Sequence, residues 1–192
     1  MKIRALVLSA VLGVLIGGVG THTAPASAKP VSGTFTATLT LAPTIIDGTD
    51  ITLGGDLTAI VKRFNLQDGH LVAVAEASGT VTATSPTLGT ATLLITDARL
   101  IVNADVTADC QGNLHIDFRG VLQVQGIFTF TDTSGTTTNL SVNETIPFRG
   151  SLDYTAQTTS QTSLICDISR LLQNKSSLKA LIDKLNTLLA KV

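Results

Sequence analysis

From Val31 to Thr162 apolar and polar residues alternate in steps of two, and beyond Leu164 the spacing changes to that of a helix. The alternation is cleanest where Phe35, Ala37, Leu39 and Leu41 interleave with Thr34, Thr36, Thr38 and Thr40. Successive side chains of a strand point to opposite faces, so this reads as a half-buried strand with a threonine face to solvent. Pro43 to Gly55 carries Pro, Asp-Gly and Gly-Gly signals and reads as loop, with a short strand at Ile51 to Leu53. Leu57 to Phe64 and His70 to Ser78 flank Asn65-Leu66-Gln67-Asp68-Gly69, and two patterned runs joined through Asp-Gly predict a β-hairpin.

Further strands are expected after Ser78-Gly79-Thr80, and over Ala91 to Val106 with a change of phase near Asp97 and Ala98 that signals a bend or bulge. Asp109-Cys110-Gln111-Gly112-Asn113 reads as a turn. Strands follow at Leu114 to Arg119, Leu122 to Phe130, Leu140 to Phe148 and Leu152 to Gln157. Two echoes, Ser32-Gly33-Thr34 with Ser78-Gly79-Thr80 and Phe118-Arg119-Gly120 with Phe148-Arg149-Gly150, share no fixed period. They read as glycines at strand ends or bulges rather than as repeats. Eight to ten short strands with polar turns predict an antiparallel β-sandwich or barrel.

The tail places Leu164, Ile168, Leu171, Leu178, Ile182, Leu185 and Leu189 on one stripe, widened by Ile165, Leu172, Leu181 and Leu188. As a single helix it would span roughly 42 Å. Asn174, Ser176 and Ser177 favour caps and turns, so two helices with a break near Asn174 to Ser176 are the favoured reading, and the continuous stripe leaves one long helix as the alternative.

The N-terminus changes the setting. Lys2 and Arg4, an apolar run from Ala5 to Val19, and Ala26-Ser27-Ala28 have the order of a secretory signal peptide cleaved after Ala28. The run is interrupted by glycines and shorter than the ~20 residues of a spanning helix. The expected organisation is residues 1–28 as signal peptide, 29–163 as a β-domain and 164–192 as a helical tail packed on it. In an oxidising compartment the two cysteines, Cys110 and Cys166, are expected to join, stapling the tail to the sheet. The other readings are two buried thiols or a metal site, and no histidine pair accompanies the sulfurs.

Composition excludes more than it suggests. After cleavage the formal charge moves from −1 to −3 by loss of Lys2 and Arg4, too mild to imply a charged partner. The remaining Lys and Arg are scattered and stacking aromatics are few, which argues against nucleic acid. The 30 threonines fit exposed strand faces. Asp47 with Asp50, and Asp105 with Asp109, are the acidic groupings, and neither has the spacing of a calcium loop. His115 shares a strand face with Asp117 and Arg119, a pair that could orient an imidazole. No nucleophile motif or metalloprotease motif accompanies it, so it reads as a solvent-facing polar stripe. No cofactor, no metal and no catalytic residue is expected.

Arg63-Phe64, Gln67-Asp68-Gly69-His70-Leu71-Val72-Ala73-Val74 and Ser78-Gly79-Thr80, with Leu164-Ile165-Cys166 opening a leucine-rich tail, resemble a pattern in small exported bacterial proteins of unknown function. The likeness covers about half of the mature chain and departs after Cys110, where those proteins tend to be leucine-rich. It implies export, a disulfide and a bacterial origin, and it transfers no site residues.

The reading that emerges is a secreted or extracytoplasmic, non-enzymatic structural or interaction module. Its rival is a carrier of a small apolar, lipid-like ligand in a barrel closed by the tail, with Val102, Leu181 and Leu185 as lining residues. Membrane contact is not expected after cleavage.

Overall fold

A computed structural model describes residues 34–132, 135–174 and 177–192. Six antiparallel strands follow in chain order: β1 (Thr36–Ile45), β2 (Thr52–Gln67), β3 (His70–Ser85), β4 (Gly89–Ala108), β5 (Asn113–Thr131) and β6 (Thr137–Thr155). Each pairs with the next, and β6 pairs back onto β1 to close a barrel. Two helices complete the chain, α1 (Thr159–Gln173) and α2 (Leu178–Leu189). The signal-peptide reading at residues 1–28 lies outside the described residues, as do Ser32, Gly33, Lys175 and Ser176. No helix among the described residues is long and apolar enough to cross a membrane.

The strands number six rather than eight to ten because the glycines and phase changes bend strands instead of ending them. Strand pairing shifts register at Leu41/Thr44 in β1, at Val61/Arg63 in β2 and at Ala77/Gly79 in β3. The shift at Ala77/Gly79 faces Asp97, whose φ of 49° marks the bulge expected there. A bulge adds twist and curvature, and six strands close a ring only if each is strongly coiled. The stretch from Pro43 to Gly55 keeps its loop over residues 46–51, while its two ends belong to β1 and β2. Its loop is held by hydrogen bonds from Ile46 N to Ile51 O (2.9 Å) and from Thr49 N to Ile46 O (3.0 Å). The expected β2–β3 hairpin turns on two residues alone, Asp68 and Gly69, with φ of 51° and 81°, the geometry that matches strand twist.

The two Phe-Arg-Gly triplets turn out to be cross-strand partners. Phe118 opposes Gly150, Arg119 opposes Arg149, and Gly120 opposes Phe148. A Cβ on Gly120 would lie 2.6 Å from the tip of the Phe148 ring, so the missing side chain makes room for that ring. A Cβ on Gly150 would run into the Thr38 carbonyl, at the place where β1 crosses β6 to close the barrel. The recurrence is therefore a packing device in mid-strand, not a repeat and not a strand end.

All six phenylalanines, Phe35, Phe64, Phe118, Phe128, Phe130 and Phe148, are buried inside the ring with the inward Leu, Ile, Val and Ala side chains. The helices close the end of the barrel where β2, β4 and β6 finish. Ile165 and Ile168 of α1 and Leu181, Ile182, Leu185 and Leu188 of α2 join the same core, with α1 against β4 and β5 and α2 against β2. The chain breaks between helices as expected, but α1 begins at Thr159, five residues before Leu164. The cause is a capping box: Gln161 N donates to Thr158 Oγ1 (3.2 Å) and Thr158 N donates to Gln161 Oε1 (3.1 Å). Gln161 Nε2 also donates to Lys191 O (2.8 Å), tying the start of α1 to the end of α2. Lys184 Nζ and Asp167 Oδ2, 2.7 Å apart, join the helices at mid-length.

Two further ties hold this plug to the barrel. Cys166 of α1 and Cys110 of the β4–β5 turn lie at disulfide distance. On α2, Asn186 Oδ1 accepts from Phe64 N (2.7 Å) while its Nδ2 donates to Phe64 O (3.0 Å). Phe64 lies beyond Val61, whose N–H donates to Phe35 O (2.8 Å) just ahead of β1, and beyond Ile60, the last β2 residue paired with β1 among the described residues. One side-chain amide thus supplies both halves of a missing backbone pairing.

Asn186→Ala strands the Phe64 N–H and C=O in a part-buried place. It is expected to lower stability by about 1–3 kcal/mol, read as a lower urea midpoint at unchanged slope. The paired substitution Cys110→Ser with Cys166→Ser is expected to lower stability by roughly 4 kcal/mol, measured in the same way against the oxidised chain.

Candidate functional site

Three strand ends and one turn build a cleft of about 440 Å³ at the plugged end of the barrel. It is lined by Thr107, Ala108, Asp109, Asn113, Leu114, His115, Asp153, Tyr154 and Thr155. The turn is shaped by Asp109, whose Oδ1 accepts from Gln111 N and Asn113 N (both 2.9 Å) and whose Oδ2 accepts from Asn113 Nδ2 (2.8 Å). These donors, Asn113 first, hold the Asp109 carboxyl below its ordinary pKa. Gly112, with φ of 97°, lets the turn approach both the segment before α1 and α1 itself, since a Cβ there would lie 3.0 Å from that of Ala156 and 3.3 Å from Thr162 Oγ1.

His115 is the one imidazole in the cleft. It stands between Thr107 on β4 and Asp153 on β6, each directly opposite it in the ladder. Its Nδ1 is 2.6 Å from Asp153 Oδ1, and its Nε2 is 3.4 Å from Asp117 Oδ1. The hydrogen bond with Asp153 raises the pKa of the ring above 6.5. Burial opposes that rise, and the charges of Asp153 and Asp117 add to it. Next along the strand, Arg119 reaches Asp105 on β4 at 3.6 Å. Tyr154 packs its ring on Phe35, with centroids 5.2 Å apart and an interplanar angle of 57°. Its buried hydroxyl has no hydrogen-bond partner, and burial raises its pKa.

The row Thr107–His115–Asp153 has the residue types of a nucleophile, base and orienting acid. The geometry is different. No hydrogen bond joins Thr107 to the ring, whose second nitrogen turns instead toward Asp117. An imidazole held between two carboxylates favours its protonated form, which cannot accept a hydroxyl proton.

Among the residues singled out from sequence, His115, Asp117 and Arg119 do share a face, and Cys110 meets Cys166. Val102, Leu181 and Leu185 come together in the common core, at 2%, 6% and 0% exposure, and none of them lines the cleft. Asp50 accepts from Ser85 Oγ (3.2 Å) and Thr87 Oγ1 (3.3 Å), pinning the β1–β2 loop to the β3–β4 turn. Among the described residues no group of three or more His, Cys, Asp or Glu is arranged to hold a metal. Asp153 and Tyr154 escaped the sequence reading because their place beside His115 depends on cross-strand register. No protein-family model matches the chain, and no curated protein or solved structure matches it either.

The raised pKa gives a sign. The imidazolium contributes stability that is fully present below pH 6.5 and is lost as pH rises through the higher folded-state value. Titration of the His115 ring by NMR is expected to give a midpoint above 6.5. Asp153→Asn should lower that midpoint more than Asp117→Asn does.

Proposed function

We propose that the chain is an exported, non-enzymatic β-domain acting as a structural or interaction module outside the cytoplasm. The observation that carries this reading is the filled interior. Six phenylalanines and the inward faces of two helices occupy the ring, and the three side chains that would line an apolar pocket are packed against other core residues. A carrier needs an enclosed apolar cavity of several hundred Å³. The cleft at the barrel end has a mixed lining, with Ala108, Leu114 and Tyr154 beside Asp109, Asn113, His115 and Asp153, and it opens to solvent rather than being enclosed.

Extracytoplasmic residence is supported by the signal-like N-terminus and by a cysteine pair at disulfide distance. The clamped imidazole supports a non-catalytic role, because both of its nitrogens are engaged by carboxylates.

Native mass spectrometry of the chain purified from an exporting host, with organic extraction of the same sample, tests the proposal. The expected result is a chain beginning at Lys29, lighter by two hydrogens and free of any extractable ligand. A stoichiometric lipid-like mass would overturn the structural reading in favour of a carrier. A chain retaining residues 1–28 would overturn export with cleavage.

A further inference from the structure

The ring is closed unevenly. β5 and β6 are paired over nineteen positions, whereas β4 and β5 are paired over six, from Asn103 opposite Arg119 to Ala108 opposite Leu114. Within that short ladder Asp105 stands directly opposite Asp117. Like charges so placed destabilise a strand pair. Each aspartate is answered by a cation on β5: Arg119 reaches Asp105 at 3.6 Å and His115 Nε2 faces Asp117 at 3.4 Å. Only one of those cations can be lost near neutral pH, since a guanidinium stays charged.

We propose that the β4–β5 seam is a pH-responsive latch, closed by the His115 imidazolium and loosened when the ring gives up its proton. A neutral imidazole carries a single N–H. The 2.6 Å contact with Asp153 keeps that proton on Nδ1, so Nε2 turns a lone pair toward Asp117. Asp117 then faces Asp105 across the seam and a lone pair along its own strand, with no cation left to it. The β5–β6 ladder, three times longer and still holding the Asp153 bond, stays paired.

The elements around the seam carry the following charged groups. β4 supplies Asp105, and the turn supplies Asp109, which is occupied by Asn113 and Gln111. β5 supplies Asp117 and Arg119, and β6 supplies Asp153 together with Arg149, the cross-strand partner of Arg119. On α1, Asp167 is engaged by Lys184 and Arg170. The folded-state pKa of His115, raised above 6.5, puts the release of the latch on the alkaline side of that value.

Amide hydrogen exchange of the full chain, corrected for the intrinsic pH dependence of exchange, provides the test. Between pH 5.5 and 8.5, protection across Asn103–Ala108 and Leu114–Arg119 is expected to fall about two- to fivefold, the range a cross-strand charge pair supports. The β2–β3 hairpin should not change. Asp117→Asn removes the opposed charges and should leave the seam equally protected at both pH values. His115→Gln should leave it weakly protected at both. A seam indifferent to pH in the unaltered chain would overturn the proposal. So would an equal loss in the β2–β3 hairpin, or an unaltered pH response in Asp117→Asn.

Discussion

Closing only six strands into a ring is the constraint on which the rest of this structure depends. Few strands mean a narrow interior and steep curvature, and a flat strand satisfies neither. The chain answers with bulges at Leu41/Thr44, Val61/Arg63 and Ala77/Gly79 and with glycines where another chain segment must come close. Gly150 is the sharpest case, because β1 meets β6 over just four positions and the glycine lies in the middle of them. The Phe148 ring over Gly120 shows the same economy on the neighbouring strand: absent volume at one position is refilled from the opposite one.

A ring that narrow still has ends, and the helical hairpin fills one of them. Its apolar stripe alone would seat it loosely, since hydrophobic contact has no direction. Orientation comes from polar contacts of definite geometry: Gln161 between the two helix ends, Asp167 with Lys184 between the helices, Asn186 on β2, and Cys166 beside Cys110. Each joins segments far apart in the chain, so the plug is fixed in position by a few contacts and held in place by burial.

Much of this was legible in the sequence. The alternation from Phe35 onward, the Asp68-Gly69 turn, the phase change at Asp97 and the interrupted leucine stripe gave the β class, the hairpin, a bulge and the pair of helices. Strand number was not legible, because a glycine in mid-strand and a glycine between strands look alike until pairing is known. The start of α1 was missed since Thr158 and Gln161 sit in a stretch rich in Thr, Ser and Gln, where a capping box is hard to tell from linker. The polar row was half visible: His115, Asp117 and Arg119 alternate along one strand, while Asp105 and Asp153 belong to neighbours that only register brings alongside.

The Asn186 contact has a meaning for the sheet as well as for the helix. Strand edges with free N–H and C=O groups are templates for pairing with other chains, and soluble β-proteins blunt them. At Phe64, past the last residue paired with β1 among the described residues, that part is taken by a side chain carried on α2. Protection of that edge is therefore borrowed from an element added late in the chain. If α2 leaves its seat, the Phe64 N–H and C=O lose the partner that covers them, so the docked helix is also what keeps this edge from pairing with another chain.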